Sequence, residues 1–166
     1  MTQSGMQKPR DGAMIDRQAA MSEFLDTTQW SNAQRVTVAG DASNRRYDRL
    51  THVDGTTAIL MDAPPEKDED IRPFVKIAQH LDAIGLNAPS IYAQDEHKGF
   101  LILEDLGDDL FARVLEVSPK LEVPLYEAAV DVLTHLHKAP FPPLASYDTE
   151  VMTQMAALAY GWYVLG

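Results

Sequence analysis

The sequence predicts an α+β fold in which a β-rich first part leads through a short acidic segment into an all-helical second part. Three observations carry this. Five short stretches, residues 35–38, 45–51, 56–61, 90–93 and 99–103, alternate apolar with polar or run continuously apolar, and turn-forming residues break them apart. Between the third and fourth of them, Phe74, Ile77, Ala78 and Leu81 recur at the spacing of one helix face, with Gly85 closing the run. Past residue 104 every apolar pattern has the helical period.

The chain begins with a polar stretch, residues 1–13, which reads as a flexible tail without the apolar core of a signal peptide. A helix is expected from Met14 to Thr27, with Ile15, Ala19, Ser22 and Leu25 along its stripe and Met21 and Phe24 beside it. Trp30 reads as a packing anchor between that helix and the sheet. The first two strands flank a run of small and turn-forming residues, Ala39 to Asn44. Such a loop can turn backbone N–H groups and the Ser43 hydroxyl toward phosphate, with Arg45, Arg46 and Arg49 close by to supply charge. It reads equally well as a hairpin loop with solvated arginines.

Asp54-Gly55 turns the chain into the third strand, and Asp62-Ala63-Pro64-Pro65 stops it because proline cannot donate to a ladder. Asp62 reads as a carboxylate capping that turn. The fifth strand and its continuation, Gly99-Phe100-Leu101-Ile102-Leu103-Glu104-Asp105-Leu106-Gly107, form the centre of the pattern. A strand this apolar is buried on both faces, and the switch to Glu-Asp then Leu-Gly ends it abruptly. Free backbone groups in such a segment can hydrogen-bond a flat base while apolar side chains sandwich it, although a core strand ending in a turn fits the same residues.

The remaining segments are expected helices: 110–117, then 121–138 with Leu125, Ala129, Val132, Leu133 and Leu136 on one face, then one from Thr149 carrying Val151, Met155, Leu158, Trp162 and Leu165. The last stripe calls for something to cover it. His135 and His137 stand two apart on a helix and therefore point to different faces, which disfavours a shared metal.

Composition narrows the function classes. The 166 residues are enough for one domain or two small lobes, and 45% hydrophobic with 23% charged residues is a globular balance. Twenty-five acidic against 14 basic residues give a formal charge of -11, which repels phosphate backbones and anionic bilayers, so neither nucleic acid nor membrane is an expected partner. There is no cysteine, hence no disulfide and no thiolate metal site. No apolar run reaches membrane-spanning length, and the expected location is cytoplasmic.

Three ordered motifs make the pattern specific: Gly40-Asp41-Ala42-Ser43-Asn44-Arg45-Arg46-Tyr47, Met61-Asp62-Ala63-Pro64-Pro65, and the Gly99 to Gly107 stretch. Together they resemble the aminoglycoside phosphotransferase family, nearest to its branch of cell-wall amino-sugar kinases acting on the anomeric hydroxyl of N-acetylmuramate and N-acetylglucosamine. The resemblance covers residue 15 or so to the end. It implies a protein-kinase-like N-lobe, a five-stranded antiparallel sheet plus helix, followed by the first helices of an incomplete α-helical C-lobe. The implied division is 1–13 tail, 14–104 nucleotide-binding lobe with its leading helix, and 105–166 hinge and partial C-lobe.

By that resemblance Gly40, Asp41, Ala42, Ser43, Asn44, Arg45 and Arg46 would cover the ATP phosphates. Backbone groups of Glu104, Asp105 and Leu106 would bind adenine, and Ile59 and Leu103 would line its pocket. The implied function is ATP-dependent phosphorylation of a sugar or amino-sugar hydroxyl, with ATP and Mg²⁺ as cofactors. Two departures stand out. The third strand lacks the lysine that kinases use to pair the phosphates, so Arg45, Arg46 or Lys67 must substitute. Nothing after Gly107 has the spacing of the catalytic Asp, metal-binding Asn and metal-binding Asp, so no catalytic residue and no Mg²⁺ ligand is assigned in this chain. Gly40-Asp41 with Asn44 echoes a catalytic loop but lacks its histidine, and Asp105-Leu106-Gly107 echoes a metal-binding Asp-x-Gly without a catalytic loop upstream. The expectation is an N-terminal portion whose missing C-lobe, or a partner chain, covers the last helix. The alternative is a catalytically inactive module that binds nucleotide or another protein.

Overall fold

The computed structural model describes residues 11–38 and 43–163. Its elements run α1 (Asp11–Asp26), β1 (Gln34–Thr37), β2 (Arg46–Thr51), β3 (Thr57–Asp62), α2 (Arg72–Ala83), β4 (Ile91–Asp95), β5 (Phe100–Glu104), α3 (Phe111–Val117), α4 (Glu122–Lys138) and α5 (Thr149–Tyr163), with short 3₁₀ turns at Pro65–Lys67 and Pro119–Leu121. The strands form one antiparallel sheet in the order β1-β2-β3-β5-β4, so the α+β architecture expected from the sequence is the one observed.

Each strand presents alternate residues to opposite faces, and a different helix covers each face. On one side Leu50, Ala58, Leu60, Phe100 and Ile102 pack against Met21, Phe24 and Leu25 of α1 and against Trp30. On the other, Met61, Leu101 and Leu103 pack against Ile71 and against Val75 of α2. β5 is therefore buried on both faces, as its unbroken apolar run predicts. Each of its large side chains contributes about 2 kcal/mol by leaving water. The Phe24 and Phe100 rings stack at 5.5 Å, and Arg17 lies over the Phe100 ring at 4.3 Å.

Several expectations need correction. α1 begins at Asp11, ahead of the expected Met14. Its buried face is Met21, Phe24 and Leu25, while Ala19 and Ser22 are exposed; the larger side chains win the sheet because they remove more apolar surface from water. In α2 the buried positions are Val75 and Ala78, continuing from Ile71, so Phe74 and Ile77 flank the seam where they were expected to form it. Asp62 does not cap its turn: it reaches Arg17 on α1.

Past Leu103 no described residue joins the buried core. On α4 the expected face splits, with Leu125, Ala129 and Leu136 partly covered and Val132 and Leu133 exposed. On α5 Met155 and Leu158 are exposed, while Leu165 and the Trp162 side chain lie outside what is described. Among the described residues, polar contacts tie the α4–α5 region to the sheet domain: His135 Nε2 lies 2.7 Å from the Ile84 carbonyl oxygen, and Lys76 Nζ donates to the Pro143 carbonyl at 2.8 Å. No described helix is long and apolar enough to cross a membrane.

Candidate nucleotide-binding site

Strand register places one row of residues across the α2 face of the sheet. Val36 on β1 stands opposite Arg49 on β2, Arg49 opposite Ile59 on β3, and Ile59 opposite Leu103 on β5. A second row on the same face sets Tyr47 against Met61 and Met61 against Leu101. Leu103 is buried, Ile59 half-buried, and Val36, at the edge strand, 56% exposed. The first row is thus an apolar surface open at one end, interrupted by a guanidinium.

β5 carries this row straight into the turn at residues 104–108. Glu104 is locked to the start of β4: its N–H donates to the Ser90 carbonyl at 2.8 Å, and its carboxylate accepts from the Ser90 N–H at 3.0 Å and hydroxyl at 2.9 Å. Those bonds hold the Glu104 carboxyl below its ordinary pKa. Asp105 turns back toward the sheet. Its Oδ1 accepts the Gly107 N–H at 3.0 Å, closing a turn in which Gly107 adopts φ +79°, a left-handed conformation that glycine takes without penalty. Burial alone would raise the Asp105 pKa, but hydrogen bonds from Arg49, Gly107 and Thr57 outweigh it and the net shift is downward. Leu106, between them, is 62% exposed, and its N–H meets no acceptor among the described residues. An apolar shelf ending at an open backbone donor is the arrangement that holds a planar heterocycle by its faces and one edge.

The sequence-predicted site residues divide. Ile59 and Leu103 stand directly opposite each other on the α2 face, and the chain runs on from Leu103 into Glu104, Asp105 and Leu106; Glu104, however, is in register with Ala58 of the α1 face, and its N–H is taken by the Ser90 carbonyl. Gly40, Asp41 and Ala42 lie outside the described residues. Ser43 accepts the Arg45 N–H at 3.1 Å. The Asn44 N–H donates to Glu69 Oε1 at 3.1 Å, and Arg45 Nε donates to Glu69 Oε2 at 2.8 Å. One carboxylate thus anchors the end of the loop and one of its cations, and with a Tyr47 hydrogen bond it raises the Arg45 pKa against the opposing effect of burial. Arg45 is thus held beside Glu69, in the segment that leads into α2.

Arg46 points elsewhere. It pairs in register with Asp62 and lines, with Arg17, Arg35, Asp48, Asp62 and Lys67, a cavity of about 590 Å³ on the α1 face. Arg49 is engaged by two carboxylates of the 104–108 turn: Nε lies 2.7 Å from Asp105 Oδ2, and Nη1 donates to Asp108 Oδ2 at 2.9 Å. Sequence reasoning grouped Arg49 with the loop arginines and did not single out Glu69, Asp108 or Val36. Only the alternation of Val36-Thr37 in β1 hinted at an apolar residue on this face.

Among the described residues no three His, Asp or Glu side chains converge where a metal ion could be held.

The family model described as "Phosphotransferase enzyme family" matches residues 35–160. An N-acetylmuramate/N-acetylglucosamine kinase of Caulobacter vibrioides is 37% identical over 159 residues, covering 80% of this chain and 43% of that protein. The protein of the same name from Pseudomonas aeruginosa is 39% identical over 133 residues, 80% of this chain and 38% of that one. The one from Neisseria meningitidis is 32% identical over 154 residues, 90% of this chain and 45% of that one. The chain spans about two fifths of the length of these curated relatives.

Proposed function

The chain belongs to the phosphotransferase enzyme family, and from that premise we propose that it is the nucleotide-binding part of an ATP-dependent kinase acting on an amino-sugar hydroxyl. The observation that carries the reading is the row Val36, Arg49, Ile59 and Leu103 ending at the unengaged Leu106 N–H. Adenine would lie along Val36 and Ile59 with its edge toward Leu106, and the triphosphate would run toward Ser43, Asn44 and Arg45. ATP supplies the phosphoryl group; the protein's task in such a transfer is positioning and charge neutralisation. Arg45, steered by Glu69, fits the post left by the apolar third strand better than Arg46, which faces α1.

The acceptor class rests on the relatives' names, N-acetylmuramate and N-acetylglucosamine kinases. We place the sugar pocket, the catalytic base and the Mg²⁺ donors in the part of such proteins that this chain does not span. The exposed apolar residues of α4 and α5, among them Val130, Leu133, Met155 and Leu158, support this division, since those faces fit a C-lobe built against them. They also favour a second reading, a catalytically inactive module that binds nucleotide, or another protein through those faces. The test is transfer of labelled phosphate from ATP to N-acetylglucosamine or N-acetylmuramate by the protein at the full length of its relatives. Labelled sugar phosphate supports the kinase; ATP binding without transfer to either sugar supports the module.

A further inference from the structure

We infer that Arg49 is a positioning residue which pins the 104–108 turn to β2 and so keeps the Leu106 N–H turned toward the base. The inference rests on the nucleotide reading above and adds a residue to it. Arg49 makes a two-carboxylate grip. Nε stands 2.7 Å from Asp105 Oδ2, Nη2 donates to Asp105 Oδ1 at 3.2 Å and to Asp108 Oδ1 at 3.1 Å, and Nη1 donates to Asp108 Oδ2 at 2.9 Å. The bond pair to Asp108 is bidentate, the strongest geometry a guanidinium offers. The Asp105 side chain is only 6% exposed and also holds the Gly107 N–H, so the same carboxylate fixes both ends of the tripeptide around Leu106.

Without the guanidinium, Asp105 would be a nearly buried carboxylate short of its cation, and turning out to water would relieve it. That movement carries the Gly107 N–H away and loosens the turn that holds the Leu106 amide. A lysine at position 49 keeps the charge but cannot fork, so it would hold one carboxylate and leave the other loose. Arg49 touches no reacting atom on this account; it acts through the hinge.

The experiment compares the chain with its Arg49→Ala and Arg49→Lys variants by amide hydrogen exchange over residues 104–108 without ligand, and by Mg-ATP titration calorimetry. Lys98→Ala, which removes the exposed contact to Glu23, serves as control. Expected are faster exchange at Leu106 and Gly107 in Arg49→Ala, affinity about tenfold weaker, an intermediate Arg49→Lys, and an unchanged Lys98→Ala. Unchanged exchange overturns the pinning. Faster exchange with unchanged affinity overturns the positioning role. If the unsubstituted chain binds no Mg-ATP, the nucleotide reading fails and this inference falls with it, an outcome distinct from the other two.

Discussion

Arg17 of the leading helix and Asp62 at the end of β3 form an ion pair across 45 positions of sequence, with Arg17 Nε 2.8 Å from Asp62 Oδ1 and the carboxylate side chain 5% exposed. The pair ties α1 to the sheet on the face opposite the proposed nucleotide shelf. Replacing Arg17 by alanine leaves the Asp62 carboxylate buried without its cation, and the expected loss of stability by denaturant unfolding is about 3 kcal/mol. Mg-ATP affinity is expected to stay unchanged, because Met61 and not Asp62 faces the shelf.

Gly99 sets a stricter limit. Its φ is +71°, and a Cβ added there would stand 2.0 Å from the Ala63 carbonyl oxygen, far inside van der Waals contact with a backbone atom. Gly99→Ala should therefore cost several kcal/mol, roughly the penalty of strain plus a displaced backbone. Gly55, at φ +86° with nothing within 4 Å of the added Cβ, is the comparison, and Gly55→Ala should cost about 1 kcal/mol. Equal losses in thermal or denaturant unfolding would refute the steric argument.

The hinge carboxylates make a pH prediction. Asp105, Asp108 and Glu104 all have pKa values lowered in the folded chain. A lowered folded pKa means the unfolded chain binds more protons, so the contribution to stability is complete above the unfolded values and is lost as pH falls through the folded ones. Stability should be level from neutrality to about pH 5 and drop below about pH 4. Asp105→Asn should flatten that drop, as denaturant midpoints measured across the range would reveal.

The two loop arginines should separate in calorimetry. Arg45→Ala is expected to weaken Mg-ATP binding about tenfold, as loss of one charge-assisted contact to phosphate does. Arg46→Ala is expected to change it far less, because that side chain lines the cavity on the α1 face. The reverse order would move the phosphates to the other side of the sheet.

How much of this was legible in the sequence follows from how local each signal is. β5 and its end at Glu104 were readable because an unbroken apolar run and its abrupt acidic end are properties of consecutive residues, and Ile59 and Leu103 do stand opposite each other. The face of α1 was misplaced because Ala19 and Ser22 fit a helical stripe as well as Met21 and Phe24 do, and only the sheet decides between them. Asp62 and Arg49 were beyond local reading: their partners lie 45 and 56 to 59 positions away, and nothing within a few residues marks them. The Gly40 to Ala42 part of the loop lies outside the described residues.

The most direct test of the nucleotide shelf is a titration of the isotope-labelled chain with Mg-ATP, followed by amide and methyl chemical shifts. The account predicts that Leu106, Val36, Ile59 and Leu103 move together at one apparent affinity, while Leu60 and Ile102 on the α1 face stay in place. Shifts confined to the α1 face, around Arg17, Asp62 and Arg46, would contradict it and put the nucleotide in the cavity on the other side of the sheet.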